Sequence, residues 1–421
     1  MAGATQLVCS TQQSFRSRKT FPLTYAVEPH MVEYLPKHPS ESGTAVASRV
    51  ASYIPAKEKG CTMRVGSFMI IGLVAVGLTM GASSTDTSVF YTQHNIASDG
   101  AVPADTPTDL DLVNAWGLAS SGSSPWWVAD NGTNKSTLYN GNTGLKAGLV
   151  VSVPGHPTGV VFNSGSGFAV PGHNKSSFIF ATEDGTIVGW PGSGTLVFAF
   201  PNVPSGAVYK GLAFAHTATA DFIYATNFHE GTVDVFNSSF VPVTGGFIDP
   251  TIPEGYAPFG IQNLGNKIYV TYALQDADAH DDVPGEGNGY VNAFDTAGNF
   301  LQRVASKGEL NSPWGLALAP AGFGKFSGDL LVGNFGNGRI HGFNPQDDGH
   351  GEFTPDGPLH STAGRPIEID GLWALAFGNG AAAGPTTTLF FTAGPFDEEH
   401  GLFGSLVVAG PPGHDKHDED E

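Results

Sequence analysis

The chain has 421 residues, including 57 Gly, 29 Pro and 29 Phe, and only 14% of its residues are charged. This composition favours many turns over long helices, while the 40% hydrophobic share excludes an intrinsically disordered chain. The net charge of −20 argues against nucleic acid as a partner, because a strongly acidic surface repels phosphate. Cations and cationic partners are expected instead.

The first 82 residues are predicted to be targeting sequence. Residues 63–82 combine Arg64 with a following apolar run and small residues at the end, which is the layout of a signal peptide. An uncleaved membrane anchor is the alternative, since the run is borderline in length for a span. Residues 1–62 form a presequence, which is either a transit peptide or an extension of the gene model. We expect a secreted, extracytoplasmic protein without a stable membrane span, or one in the plastid lumen if 1–62 is a transit peptide.

A short apolar motif recurs six times in the remainder of the chain, at intervals of 42 to 59 residues. Each copy is followed by two further short runs that are rich in β-branched and aromatic residues and bounded by Gly, Asn and Asp, which is typical of strands. Periods of this size indicate solenoids or propellers. Residues 83–409 are therefore predicted to form an all-β, six-bladed β-propeller. The copies centre on Gly117, Gly159, Gly211, Gly260, Gly315 and Ala374.

The motif also predicts how the ring is packed and closed. Its Gly allows the innermost strands to approach the axis, and the Trp or Phe before it covers the neck of the channel, with packing favoured over ligand stacking. The last blade runs out of chain after three strands, so residues 89–98 are predicted to supply its outer strand. Residues 410–421 are predicted to be a disordered acidic tail, a solvated charge run rather than a loose metal site.

Several long stretches carry a family resemblance when they are taken in order. They include NAWGLASSGSSPWWVADNGT, PEGYAPFGIQNLGNKIYVTYA, LLVGNFGNGRI and FTAGPFDEEHGLFGSL. Over roughly residues 90–408 the chain resembles an uncharacterised family of exported, mostly bacterial proteins. The resemblance implies a six-bladed propeller and export, and it implies no established activity.

Polar residues cluster where the first strand of a blade begins and the second ends, and both points lie at one mouth of the channel. Carboxylate and amide oxygens in a ring suit Ca²⁺, which takes ~6–8 oxygen ligands. The alternative is that Asn and Asp at these points only shape turns. The candidate metal-binding or ligand-binding residues are Asn114, Asp130, Asn131, Glu183, Asp184, Asn227, Asn334 and Asp370.

Two acidic loops are expected at the rim of the same mouth, one in the fourth blade and one in the sixth. Each carries one His, so the rim could hold a second cation or act as a general base near neutral pH. The spacing matches neither an EF-hand nor a zinc pair, and a solvated acidic loop is the alternative. The rim candidates are Asp281, Asp282, Asp397, Glu398 and Glu399.

These features predict a monomeric binding or interaction module with an acidic, cation-binding channel mouth, whose partner is a protein, a glycan or a small molecule. The alternative is a Ca²⁺-dependent hydrolase of lactonase or esterase type. Exported propellers of the gluconolactonase and paraoxonase type are similar in placing calcium at the channel mouth, but their motifs are not found here. Whether the chain is an enzyme stays open. The candidates for proton transfer are His156, His280 and His400.

Overall fold

The computed structural model describes residues 89–200, 206–217, 219–347, 349 and 351–410. The predicted presequence (1–62), the signal peptide (63–82) and the acidic tail beyond residue 410 lie outside these residues. Within the described part of the chain, no helix combines the length and the hydropathy needed to cross a membrane.

The described residues form six four-stranded sheets whose neighbouring strands are antiparallel. After β1 (Phe90–Ser98), blade 1 contains β2 (Ala115–Ala119), β3 (Trp126–Asp130), β4 (Lys135–Tyr139) and β5 (Val151–Ser152). Blade 2 contains β6 (Pro157–Phe162), β7 (Phe178–Thr182), β8 (Ile187–Trp190) and β9 (Phe198–Phe200). Blade 3 contains β10 (Tyr209–His216), β11 (Asp221–Asn227), β12 (Thr232–Asn237) and β13 (Pro242–Val243).

The second half of the chain repeats the same arrangement. Blade 4 contains β14 (Tyr256–Leu264), β15 (Lys267–Leu274), β16 (Tyr290–Phe294) and β17 (Phe300–Ser306). Blade 5 contains β18 (Pro313–Leu318), β19 (Leu330–Asn334), β20 (Ile340–Asp347) and β21 (Phe353–Pro358). Blade 6 contains β22 (Leu372–Phe377), β23 (Leu389–Ala393), β24 (Leu402–Ala409) and, as its outer strand, β1.

The ring closes as the sequence predicts. Strand β1 pairs with β24, from Phe90 opposite Ala409 to Ser98 opposite Leu402. The inner strands β2, β6, β10, β14, β18 and β22 each contact the next, and β22 contacts β2. The six-bladed propeller is therefore confirmed, including the outer strand that the N-terminal side supplies to the last blade.

Close approach between blades requires glycine at the repeat positions Gly260 and Gly315. A Cβ on Gly260 would lie 2.2 Å from the carbonyl oxygen of Trp314, and one on Gly315 would lie 2.5 Å from that of Trp373. A buried Thr hydroxyl joins the inner strands of blades 2 and 3, where Thr158 Oγ1 donates to the carbonyl of Tyr209 at 2.7 Å. The inner strands therefore crowd around the axis as predicted.

The aromatic residues that precede the repeat glycines meet at the axis. The indole rings of Trp116 and Trp373 stack with centroids 3.5 Å apart, and Trp314 meets them edge-on at 6.1 and 5.7 Å. The Phe259 ring lies 5.8 Å from Trp373. These four buried rings, from four different blades, form the aromatic plug. It separates the upper mouth, where the inner strands begin, from the lower mouth, where they end.

Candidate functional site

A buried lysine lies at the upper mouth, beside the aromatic plug. The Lys210 side chain is 2% exposed, and its ammonium donates to Glu183 Oε1 at 2.5 Å and to Asp281 Oδ1 at 3.0 Å. It also lies 5.3 Å from the centre of the Trp116 ring, within the range of a cation–π contact. Burial acts to lower the pKa of Lys210, but the two carboxylates outweigh it and the pKa is raised. The ammonium is therefore charged at physiological pH.

Two asparagines extend this network to the sixth blade. Asn131 Nδ2 donates to Glu183 Oε2 at 2.7 Å, and Asn114 Nδ2 donates to Glu398 Oε2 at 2.7 Å. The two amides meet where Asn114 Nδ2 lies 3.3 Å from Asn131 Oδ1. The Trp373 indole donates to Asn114 Oδ1 at 3.2 Å, which ties the network to the aromatic plug.

The network continues into the fourth blade through the acidic loop that the sequence singles out. The His280 ring nitrogen Nδ1 lies 2.9 Å from Asp281 Oδ1, which also accepts the hydrogen bond from Lys210. The structure thus brings together six of the predicted residues around Lys210. They are Asn114, Asn131, Glu183, His280, Asp281 and Glu398.

Two carboxyl groups of the upper mouth have raised pKa values. Burial raises the pKa of Glu398 to about 7, and the hydrogen bond from Asn114 opposes this only in part. Burial likewise raises the pKa of Asp282 to about 6, and Asp282 Oδ2 is buried without a hydrogen-bond partner among the described residues. Burial also acts to raise the pKa of Asp281, but Lys210 outweighs it and the pKa is lowered. The mouth therefore combines a fixed ammonium with carboxyl groups that titrate near neutral pH.

A strained loop presents Glu398 to this site. Phe396, Asp397 and Glu398 all adopt the left-handed conformation, with φ of 58°, 55° and 64°. Such a conformation costs a non-glycine residue about 1–2 kcal/mol. The Asp370 carboxylate holds the loop by accepting a hydrogen bond from the Phe396 N–H at 2.8 Å. Asp370, a predicted ligand, thus supports the loop that carries Glu398.

Two predicted ring members, Asn227 and Asn334, use their amides within their own blades. Asn227 Nδ2 donates to Asp234 Oδ2 at 3.0 Å, and its Oδ1 accepts from the backbone N–H groups of the adjoining loops. Asn334 Oδ1 accepts from the Asn311 N–H at 3.1 Å, and its Nδ2 donates to the Glu309 carbonyl at 2.8 Å. Both amides therefore shape loops, which is the alternative that the sequence left open for these positions.

Asp130 lies in a separate cluster inside the first blade. It is fully buried, and neither of its carboxylate oxygens has a hydrogen-bond partner among the described residues. Burial raises its pKa well above the usual range, and Asp109 adds to the effect. Asp109 in turn accepts hydrogen bonds from Tyr139 at 2.5 Å and Lys146 at 2.6 Å. The structure therefore does not bring Asp130 into the network around Lys210.

The two other candidate histidines pair outside that network. His156 Nδ1 lies 3.3 Å from Asp184 Oδ1, and both side chains are at least half exposed. His400 Nδ1 lies 2.7 Å from Asp99 Oδ2, in the segment after β1. The remaining rim candidates, Asp397 and Glu399, are exposed.

Lys210, which lies at the centre of this network, is not among the candidate residues predicted from the sequence. It lies in the third repeat copy, YKGLAF, directly before the repeat glycine. The sequence does distinguish Lys210, because no other copy of the motif has a charged residue at this position. The residues at this position are Trp116, Thr158, Lys210, Phe259, Trp314 and Trp373.

Within the described part of the chain, one group of side chains, at the upper mouth, has the geometry to hold a metal ion. Glu183, His280 and Asp281 each place one ligand atom within 4.8 Å of the others. Two carboxylates and one imidazole suit a divalent cation, although Ca²⁺ would need further oxygen ligands to reach ~6–8. Lys210 already donates to both carboxylates. An ion would therefore compete with this ammonium for the same oxygens.

Comparison with known proteins identifies relatives from one virus. No family model matches the chain. It is 33% identical to the uncharacterised protein R648 of Acanthamoeba polyphaga mimivirus over 322 residues, which is 71% of this chain and 76% of that protein. It is 32% identical to the uncharacterised protein L690 of the same virus over 324 residues, which is 71% of this chain and 81% of that protein.

The solved structures that align with the chain are distant. A virginiamycin B lyase from Staphylococcus aureus is 13% identical with a TM-score of 0.45, and the alignment covers 76% of this chain and 100% of that one. A gluconolactonase from Xanthomonas campestris is 12% identical with a TM-score of 0.44, over 71% of this chain and 87% of that one. Likeness at this level supports no statement about activity.

Proposed function

The chain belongs to the family that includes the uncharacterised proteins R648 and L690 of Acanthamoeba polyphaga mimivirus, and we propose that it is a binding module that recognises a cationic group at the upper mouth. The observation that carries this proposal is the network around Lys210. There a tethered ammonium lies between two carboxylates and over an indole ring. The carboxylates that accept this ammonium have the chemistry to accept an external cation, which would compete with Lys210 for them.

The carboxylates of the site retain unused acceptors for such a ligand. Glu398 Oε1 and Asp281 Oδ2 have no hydrogen-bond partner among the described residues, whereas the opposite oxygen of each carboxylate is bonded. The single charge of Lys210 cannot neutralise Glu183, Asp281 and a deprotonated Glu398 together. A bound cation would supply the missing charge, and it would favour loss of the Glu398 proton.

A divalent cation such as Ca²⁺ is the first ligand to test, with Glu183, His280 and Asp281 as the donors. We expect millimolar Ca²⁺ to raise the melting temperature of the chain relative to chelator, because a ligand that binds only the native state stabilises it. The affinity should increase as the pH rises through about 7, because the neighbouring Glu398 then loses its proton and adds a negative charge to the site.

Matched variants in the same two loops test the site directly. Asp281→Asn and Glu398→Gln should each weaken the stabilisation by cation, whereas Asp397→Asn, at the exposed neighbour of Glu398, should leave it unchanged. Spermidine serves as the organic cation in a parallel titration. The proposal is overturned if neither Ca²⁺ nor spermidine shifts the melting temperature, or if all three variants respond as the unmodified chain does.

A second candidate function is hydrolysis of a lactone or ester, with a divalent cation polarising the carbonyl oxygen. The observation that favours it is Glu398, whose pKa of about 7 suits a general acid or base. Lys210 adds a fixed positive charge for a developing oxyanion. Of the candidate histidines, His280 is the one within the network. Chelator-sensitive hydrolysis of lactone or ester substrates that Glu398→Gln abolishes would support this function, and its absence over a substrate panel would reject it.

We further propose that the propeller is exported, on the basis of the signal-like segment 63–82. N-terminal sequencing of the mature protein tests this, with a new terminus near Ser83 expected. A terminus at Met1 would contradict export. A plastid lumen remains the alternative destination if residues 1–62 are a transit peptide, and the partner at the mouth is then a protein, glycan or small molecule of that compartment.

A further inference from the structure

A large cavity lies at the lower mouth, on the far side of the aromatic plug from Lys210. Its volume is about 600 Å³, and its wall is built from the ends of the inner strands of all six blades. A small void of about 20 Å³ extends from it to Trp314, where the plug closes the channel. The cavity is therefore a cup that opens at the lower mouth, and it is separate from the proposed cation site.

The wall of this cavity is uncharged, which is unusual in a chain of net charge −20. Its lining residues are aliphatic, aromatic or neutral polar, and none of them is an Asp, Glu, Lys, Arg or His. A charged ligand would lose its hydration here without gaining a counter-charge. The buried part of the wall is apolar, and it consists of Leu118, Trp126, Val160, Val161, Ala213, Leu316, Ala317 and Leu375.

One polar group at the deep end of the cup is available to a ligand. Gln262 lines both the cavity and the small void above it. Its side-chain amide has no hydrogen-bond partner among the described residues, whereas the neighbouring Asn263 amide donates to the Phe214 carbonyl at 2.9 Å. Gln262 can therefore donate one hydrogen bond and accept another next to the buried apolar part of the wall.

We infer that the lower mouth is a second binding site, for a neutral, compact, ring-containing apolar molecule with one hydrogen-bonding group that pairs with Gln262. The volume lies within the range of small-molecule sites, about 300–1,000 Å³. Because six blades surround the cup, it favours a compact ring system over an extended chain. The absence of charge in the lining selects a neutral ligand. This site stands independently of the cation site at the upper mouth.

The test uses two fluorescent probes that share a ring skeleton and differ in charge. N-phenyl-1-naphthylamine is neutral and carries one N–H donor, while 1-anilinonaphthalene-8-sulfonate adds a sulfonate. We expect saturable binding of one neutral probe per chain, and affinity for the sulfonate at least tenfold weaker. Equal or tighter binding of the sulfonate, or no saturable binding of the neutral probe, would overturn the inference.

Variants assign the binding to the cup. Leu318→Glu places a charge on the lining at a residue that is 43% exposed, and Leu301→Glu is its control at a residue that is 48% exposed and outside the lining. We expect Leu318→Glu to weaken binding of the neutral probe at least tenfold and Leu301→Glu to leave it unchanged. Equal effects of the two variants would refute the assignment.

Gln262→Leu keeps the inference testable if Leu318→Glu does not fold. This variant should weaken N-phenyl-1-naphthylamine severalfold. It should leave unchanged the affinity for 2-phenylnaphthalene, a hydrocarbon without a hydrogen-bonding group, measured by displacement of N-phenyl-1-naphthylamine. Loss of both ligands, or of neither, would contradict the role assigned to the Gln262 amide.

Discussion

Replacing Lys210 by Met should destabilise the chain, because Lys210 supplies the one ammonium that contacts Glu183 among the described residues. Breaking a buried ion pair by removing one partner costs about 3–5 kcal/mol. Glu183 is 16% exposed and bears the full effect, whereas Asp281 is 65% exposed and can be solvated. We therefore expect the lower end of that range, a loss of about 3 kcal/mol in the free energy of unfolding.

Met is the appropriate replacement because it keeps an unbranched apolar stem beside Trp116 while removing the charge. The double variant Lys210→Met with Glu183→Gln removes both members of the pair. It should recover to within about 1 kcal/mol of the unmodified chain, since a buried pair replaced by neutral groups is often close to neutral in stability. The matched control is Arg339→Met, whose ion pair with Glu368 is exposed and should contribute less than about 1 kcal/mol.

Equilibrium unfolding in urea at pH 7.5 measures all three variants against the unmodified chain. The midpoint and slope together distinguish lost stability from a changed unfolded state. The stabilising role of the buried ion pair is refuted if Lys210→Met costs no more than Arg339→Met. It is also refuted if the double variant is as unstable as the single one, because the unpaired Glu183 carboxylate would then not be the source of the loss.

Three further predictions concern titration, packing and ring closure. Because burial raises the pKa of Glu398 to about 7 from an ordinary 4.5, the native state holds a proton that the unfolded chain releases. The free energy of unfolding should therefore fall by up to about 3 kcal/mol between pH 4.5 and 7. Chemical denaturation at several pH values in this range should show a smaller fall for Glu398→Gln. If the free energy of unfolding fell equally with pH in both proteins, the pKa of Glu398 would not be raised. Gly260→Ala should cost about 1–3 kcal/mol in thermal or chemical unfolding through overpacking. Gly122→Ala, where nothing lies within 4 Å of the added Cβ, should cost far less, and equal losses would contradict the close approach. Tyr91→Phe removes the 2.9 Å hydrogen bond from its hydroxyl to the Phe323 carbonyl and should cost about 1 kcal/mol by the same assay. An unchanged stability would mean that this bond does not help to hold β1.

The lower cavity was not predicted from the sequence, although every strand that lines it was. Leu318 and Gln262 look like ordinary residues of the repeat, because no local pattern distinguishes a residue that lines the cavity from one that packs in the core. The volume enclosed by six strand ends depends on how the blades are spaced around the axis. That spacing is a property of the assembled ring.

The architecture follows from local patterns in the sequence. The repeat in the sequence set the number of blades, the Gly and aromatic residues at the axis, and the closure by residues 89–98, because each of these follows from patterns within a few residues. It also placed polar side chains at one mouth, since strand direction decides which end of a blade they occupy. A residue's position at the mouth could therefore be predicted, while its partner could not.

Which of those side chains act together depends on how the blades and loops pack. Asn114 meets Glu398 across a separation of 284 residues, and Lys210 meets Asp281 across 71. At equivalent strand ends, Asn227 turns to its own loop and Asn131 turns to the channel. The difference arises because each amide bonds to whichever donor or acceptor the neighbouring blade and loop present. That choice is made by contacts between distant parts of the chain, which no local pattern records.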